Sequence, residues 1–145
     1  MGHDLQALSD RLDIQDLLHR YTQAVDTRDW GLYRSCFTAD ATIDYTASGG
    51  ARGTLEEVTA WISETLSMFS MTQHFVTNTL LIVTGDQATG RSYFYNPMIL
   101  AGDGPAQHLI VGGYYNDLFR RDAHGWRIAE RIEEMAFMDG PFTRT

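Results

Sequence analysis

The chain of 145 residues is 43% hydrophobic and 21% charged, an ordinary globular balance in a chain long enough to bury one substantial core. Its formal charge of −8, with no Lys/Arg cluster to offset it, repels polyanions and excludes nucleic acid as a partner. The lone cysteine, Cys36, excludes an internal disulfide, and neither a membrane span nor a signal peptide is legible, so the expectation is a cytoplasmic protein.

In chain order, Leu5, Leu8 and Leu12 share one helical face, while Ile14, Leu17, Leu18, Tyr21 and Val25 share another, roughly opposite. One straight surface helix would not bury both. The pattern predicts a main helix over about 9–25 with a looser arm before it, or first turns that pack on another subunit. Trp30, Tyr33 and Phe37 repeat at helical spacing, a short second helix ended by Ala39-Asp40. Alternation over about 42–46 predicts a strand, with Ile43 and Tyr45 on one side, and Gly49-Gly50 breaks it. Thr54-Leu55-Glu56-Glu57 is a capping box, and Leu55, Val58, Ile62, Leu66 and Phe69 form the stripe of the helix it starts.

After Met71 the period changes from helix to strand. Long strands are predicted over about 72–84, 87–100, 107–121 and 125–137, with hairpin turns at Gly85-Asp86 and at Asp122–Gly125. In the first, His74, Val76, Asn78, Leu80 and Ile82 share a face, and Phe75, Leu81 and Val83 lie on the other. Neither face is cleanly polar, so the sheet is expected to be covered on both sides, one by helices or a lumen and the other by a partner subunit. Gly112-Gly113 in mid-strand predicts a bulge or bend that curls the sheet. Helices first and an antiparallel meander afterwards make the fold class α+β, and no linker divides residues 1–145 into more than one domain.

Two residues carry chemistry. Asp26 stands where the apolar stripe of the first helix stops, in YTQAVDTRDW, and His74 lies in TQHF inside the first long strand. We expect the two to meet in the mouth of one apolar pocket as an acid–base pair. A histidine is the usual base for a carbon-bound proton, and a carboxylate fixes its tautomer and stabilises the imidazolium. No paired His/Cys spacing for zinc and no phosphate-binding glycine loop is present, so neither metal nor cofactor is expected.

The order of VDxxDW closing a helix, FxxDAxIDY, an amphipathic helix, TQHF and a strand ending GGYYNDLFRRDAHGWRI resembles the SnoaL-like branch of the nuclear-transport-factor-2 superfamily. The resemblance covers about residues 5–136. It implies a cone-like half-barrel of curved antiparallel sheet closed by N-terminal helices around a pocket. Scytalone dehydratase, hexachlorocyclohexane dehydrochlorinase, bile-acid dehydratases and the small subunits of ring-hydroxylating dioxygenases share that fold, so function varies within it. By resemblance, His74 matches the catalytic histidine and Asp26 the aspartate that orients it. Tyr45 matches a tyrosine that holds substrate through water in scytalone dehydratase, and Tyr21 a catalytic tyrosine of the bile-acid dehydratases. Arg120 or Arg121 lies near an arginine of the dehydrochlorinase. The second histidine of scytalone dehydratase falls near Met98, and its serine and asparagine near Gly113 and Tyr115; the dehydrochlorinase lysine has no counterpart.

The resemblance therefore implies a cofactor-independent lyase, a dehydratase-type elimination on a small to medium apolar cyclic or carbonyl substrate. Asp26, His74, Tyr21 and Tyr45 are the catalytic candidates. Trp30, Phe75, Val76, Asn78, Tyr95, Met98, Tyr115 and Arg120 are the expected lining of the pocket. An isomerase or polyketide-type cyclase would use the same dyad, and a ligand-binding protein or dioxygenase small subunit is the alternative from another class. A homodimer or homotrimer is expected.

Overall fold

Asp4 caps the first helix, α1 (Leu5–Thr27), its carboxylate accepting the Ala7 N–H at 2.7 Å. The helix is therefore continuous where the sequence predicted a loose arm before about residue 9, because the cap satisfies its first turn. The computed structural model describes residues 2–142; residue 1 and residues 143–145, the ends of the predicted single-domain span, lie outside the described residues. Ile14, Leu17, Leu18, Tyr21, Ala24 and Val25 face the core, while Leu5, Leu8 and Leu12 stay exposed. The chain leaves α1 through Arg28 in the left-handed conformation (φ 60°), and the N–H groups of Arg28 and Asp29 close on the carbonyls of Val25 and Ala24. Asp29 then caps α2 (Trp30–Ser35), accepting from the Leu32 N–H at 3.0 Å.

The first strand, β1 (Phe37–Asp44), begins before the predicted 42–46 and takes over the end of the predicted second helix. Its parallel pairing with the last strand, Phe37 opposite Ile128 and Ile43 opposite Arg131, overrides the local helical spacing. A 3-10 turn (Thr46–Ser48) and β2 (Arg52–Thr54) follow. The capping box is present at the start of α3 (Leu55–Leu66): the Thr54 hydroxyl accepts from the Glu57 N–H at 3.3 Å, and the Glu57 carboxylate accepts from the Thr54 N–H at 2.9 Å.

The predicted strand over 72–84 is two strands, β3 (Phe69–Thr72) and β4 (Phe75–Thr84), and both lie against β5 (Gln87–Leu100). Then come β6 (His108–Asp122) and β7 (Gly125–Asp139), giving the order β2-β1-β7-β6-β5-β3. The result is an α+β fold in which a strongly curled open sheet forms a half-barrel closed by three helices. The curl has identifiable causes. Gly113 pairs with Met135 and Gly112 with Phe137, so Ala136 is an extra residue at the glycine pair. A Cβ on Gly113 would come within 2.1 Å of the Glu134 carbonyl, so only glycine permits that approach.

Bulges also decide which side chains point inward. Asn78 (φ 45°) sits in a bulge of β4, between the pairs Thr77–Tyr93 and Leu80–Arg91. The inward face accordingly passes from Val76 to Leu81, and Asn78, Leu80 and Ile82 do not share the face of Val76 as the plain alternation predicted. On β7, Ala129 is the extra residue, and the buried positions pass from Ile128 to Arg131. The concave face of β5 carries Ser92, Phe94, Asn96 and Met98, and that of β6 carries Val111, Gly113, Tyr115 and Asp117.

Candidate active site

The end of α1 and the gap between β3 and β4 are joined by one carboxylate. Asp26 Oδ2 accepts the backbone N–H of His74 at 2.8 Å, and Asp26 Oδ1 lies 2.7 Å from His74 Nδ1. That backbone bond takes the His74 N–H out of the strand ladder, where the sequence predicted an uninterrupted strand, while the Gln73 N–H still donates to the Pro97 carbonyl at 3.1 Å. The Thr72 hydroxyl donates to Asp26 Oδ1 at 3.0 Å, and Arg28 Nη1 donates to the Thr72 oxygen at 2.7 Å. Arg28 also donates to the Val25 and Leu66 carbonyls, at 2.9 and 3.2 Å, so one guanidinium ties both helices to the histidine segment.

Burial pushes the Asp26 carboxyl up, but the His74 ring and N–H and the Thr72 hydroxyl outweigh it and hold the pKa below its usual 3.8. An ionised Asp26 fixes the tautomer of a neutral His74, with Nδ1–H donating to it and the Nε2 lone pair left for another partner. The imidazole itself is 7% exposed.

That ring lines a cavity of about 400 Å³ between α3, the 3-10 turn and the concave sheet. Ile62, Leu66, Phe69, Met98, Leu109 and Val111 make its walls apolar, with Trp61, Met68 and Phe142 beside them. The polar side chains are His74, Tyr21, Tyr45, Tyr115, Asn96, Ser48, Thr65 and Glu133. The Tyr21 and Tyr45 hydroxyls lie 3.0 Å apart, and the Tyr33 hydroxyl is 3.2 Å from that of Tyr45. Burial and the neighbouring tyrosines raise the Tyr45 pKa well above the ordinary phenol value, so Tyr45 is a neutral donor. Beneath the tyrosines Arg131 is fully buried, bidentate to Asp117 at 2.8 and 2.8 Å, its guanidinium 4.3 and 4.0 Å from the Tyr21 and Tyr115 ring centres.

The family model described as "SnoaL-like domain" matches residues 6–132 of this chain. The chain belongs to the SnoaL-like family. An uncharacterised protein of Mycobacterium tuberculosis (strain ATCC 25618 / H37Rv) is 42% identical over 130 residues, which cover 90% of this chain and 88% of that protein. The crystal structure of the Kfla4162 protein from Kribbella flavida matches with a TM-score of 0.83 at 27% identity, covering 92% of this chain and 95% of that one. The hexachlorocyclohexane dehydrochlorinase LinA-type3 from Novosphingobium barchaimii LL02 matches with a TM-score of 0.79 at 21% identity, over 98% and 97% of the two chains. At that identity the last likeness establishes the shared fold.

In this SnoaL-like chain the structure brings Asp26 and His74 together and sets His74, Tyr21, Tyr45, Met98 and Tyr115 around one cavity. Other expected lining residues fall elsewhere. Tyr95 and Phe75 pair across β4 and β5 on the outer face, with ring centres 6.2 Å apart. Met98 and Tyr95 are an odd number of residues apart on one strand and could not both face inward. Val76 and Asn78 line a separate groove beside Arg11, Gln15 and His19 of α1. Trp30 packs edge-on against Tyr33, outside the cavity lining. Arg120 is on the outer face and donates to Asp40 at 2.6 Å. Its neighbour Arg121 binds Asp10 and Asp86 at the far end of α1, so neither arginine reaches the cavity.

Asn96, Glu133, Ser48 and Trp61 are cavity residues that the sequence reading missed. Asn96 had a readable signal, since Phe94, Asn96 and Met98 alternate on β5. Glu133 and Arg131 had none, because the Ala129 bulge reverses the inward phase of β7.

Proposed function

We propose that the chain is a cofactor-independent lyase that eliminates water from a small to medium apolar cyclic carbonyl compound, with His74 as base and Asp26 as the group that orients it. The observation that carries this reading is the 2.7 Å contact of His74 Nδ1 with Asp26, made by a ring that lines an apolar cavity. With Nδ1–H held by Asp26, Nε2 is available for a proton on carbon next to a carbonyl. Transfer leaves an imidazolium beside an ionised carboxylate in a largely buried site, where attraction is stronger than in water. A hydroxyl of the Tyr21–Tyr45 pair, 3.0 Å apart at the cavity wall, would donate to an enolate oxygen. The dehydrochlorinase with the same fold eliminates from a ring, by its name, and supports the reaction class.

One SnoaL-like domain is proposed to account for residues 1–145, and a second or third copy of the chain to cover the outer sheet face. The proposed site of action is the cytoplasm; no helix among the described residues is long and apolar enough to cross a membrane.

The test is a screen of cyclic ketones, following deuterium uptake from solvent at the carbon beside the carbonyl and enone formation from β-hydroxy ketones. Wild-type protein should catalyse both. His74→Ala should lower each by about 10²–10⁴-fold, the share of a positioned general base. Equal rates for wild type and His74→Ala would overturn the reading, and saturable binding without exchange would favour a binding protein.

A further inference from the structure

We propose that Glu133 is the acid of the cavity: it protonates a hydroxyl leaving group while His74 takes the carbon-bound proton, which makes the substrate a β-hydroxy carbonyl compound. This rests on the reading of His74 as the base. Glu133 lies on the concave face of β7, opposite Tyr115 of β6, and is 9% exposed. Its Oε1 accepts both the Ser48 N–H at 3.0 Å and the Ser48 hydroxyl at 2.5 Å. Among the described residues no group bonds its Oε2, and the side chain lines the cavity. Ser48 comes from the turn after β1, so the carboxyl is held rigidly by one oxygen and presents the other.

A purely structural role does not account for this residue. Anchoring Ser48 needs only an acceptor, which a glutamine would supply without the cost of burying an ionisable group. The charged and titratable groups around Glu133 are Arg131 on its own strand, Asp44 on β1 and Tyr115 on β6. Arg131 is engaged by Asp117, and among the described residues no cation pairs directly with Glu133. Burial pushes the Glu133 carboxyl up against the opposing Ser48 bonds, leaving its pKa above the usual 4.5.

The second observation is Asn96. The pairs Thr72–Met98 and Phe75–Tyr95 put it opposite His74 across the gap in the ladder. It is 6% exposed, and its Oδ1 is buried without a hydrogen-bond partner. An unpaired buried acceptor costs free energy that a ligand N–H or O–H can recover. Base and amide thus stand side by side, and the acid lines the same cavity from β7, two strands along the curled sheet from the β5 of Asn96. The proposed substrate puts its acidic carbon near His74 and its hydroxyl at Glu133, and the Asn96 Oδ1, an acceptor, takes a donor group of the ligand rather than its carbonyl.

The step balances. His74 Nε2 takes the proton from the carbon beside the carbonyl, and the C–H electron pair forms the new C=C bond. The carbon–oxygen bond at the β position breaks as that oxygen takes the Glu133 proton and leaves as water. His74 ends as imidazolium and Glu133 as carboxylate, and proton exchange with solvent resets both.

The experiment compares wild type and Glu133→Gln on 3-hydroxy-1-decalone and on 3-acetoxy-1-decalone, whose acetate leaves without protonation. Glu133→Gln should lower elimination from the hydroxy ketone by about 10²–10³-fold. The loss on the acetoxy ketone should be at least about tenfold smaller, since it needs no acid. Processing of the acetoxy ketone by the same variant also shows that it is folded. Equal losses on both probes, or no loss on either, would overturn the role of Glu133. Where wild type turns over neither probe, the base reading fails separately, and calorimetric binding decides the assignment of the substrate class. Wild type should then bind 3-hydroxy-1-decalone at least about tenfold tighter than 1-decalone, a preference of one good hydrogen bond, and Glu133→Met, which offers the hydroxyl no hydrogen bond, should abolish it. Equal affinities in wild type would overturn the substrate class.

Discussion

Asp26 holds three hydrogen-bonding groups at once: the His74 ring, the His74 N–H and the Thr72 hydroxyl. In the proposed mechanism it positions His74, while its three hydrogen bonds serve stability, and the two roles separate experimentally. Asp26→Asn keeps most of the hydrogen-bonding shape but loses the charge that stabilises the imidazolium. Proton exchange and elimination should fall by about 10²–10⁴-fold while the circular dichroism spectrum stays native. An unchanged rate would remove Asp26 from the mechanism. The pH dependence has a definite sign. Its folded-state pKa is depressed below 3.8, so the stability it contributes is complete above that unfolded-state value and is lost as pH falls through the folded one. Urea midpoints of wild type and Asp26→Asn should therefore converge on acidification from about pH 5 to about pH 2. Curves that stay parallel would contradict the shift.

Among elements, β7 does the most varied work. Its bulge at Ala129 turns Arg131 into the core, and its bulge at Ala136 lets the sheet curl at Gly112-Gly113. Between them lie the buried Arg131 and the cavity-facing Glu133. Arg131 and Asp117 bridge β7 and β6 beneath the rings of Tyr21 and Tyr115, so the pair sets the floor on which the tyrosines sit. Arg131→Met would leave the Asp117 carboxylate buried and unpaired, which should destabilise the fold by about 3–5 kcal/mol. Adding Asp117→Leu should recover much of that loss, because an apolar pair has no charge to desolvate. Chemical denaturation of the single and double variants checks the cycle. A loss below about 1 kcal/mol for Arg131→Met would show that water reaches the site.

At the scale of the molecule, the half-barrel has two apolar surfaces and fills only one by itself. The convex face carries Phe75, Tyr93, Tyr95, Leu118, Ile132 and Phe137, each more than a third exposed. Tyr93 and Tyr114 meet edge-to-face at 5.1 Å, and Arg91, paired with Glu134, lies over Tyr114 at 4.1 Å. An aromatic patch with a bound arginine has the composition of an interface centre. Sedimentation at micromolar concentration should give a dimer or trimer, and Tyr93→Glu combined with Phe137→Glu should shift it to monomer. A monomeric wild type would sink the proposal of a partner copy.

Local signals determined much of this protein. Apolar spacing and caps specify α1 and α3, since a helix is built from contacts within a few residues, and the Thr54–Glu57 box forms as read. The Asp26 and His74 candidates stood out because their surroundings, VDTRDW and TQHF, match a family pattern. What tertiary structure decided are the faces of strands and the ends of elements. Strand alternation has a period of two, so one bulged residue exchanges the inward and outward sets, and whether a bulge forms depends on the neighbouring strand. Asn78 and Ala129 did this to β4 and β7. The parallel pairing of β1 with β7 likewise joins residues about ninety positions apart and moves the start of that strand to Phe37. Glu133 and Arg131 entered the interior by this non-local route, which is why no short-range pattern could place them there.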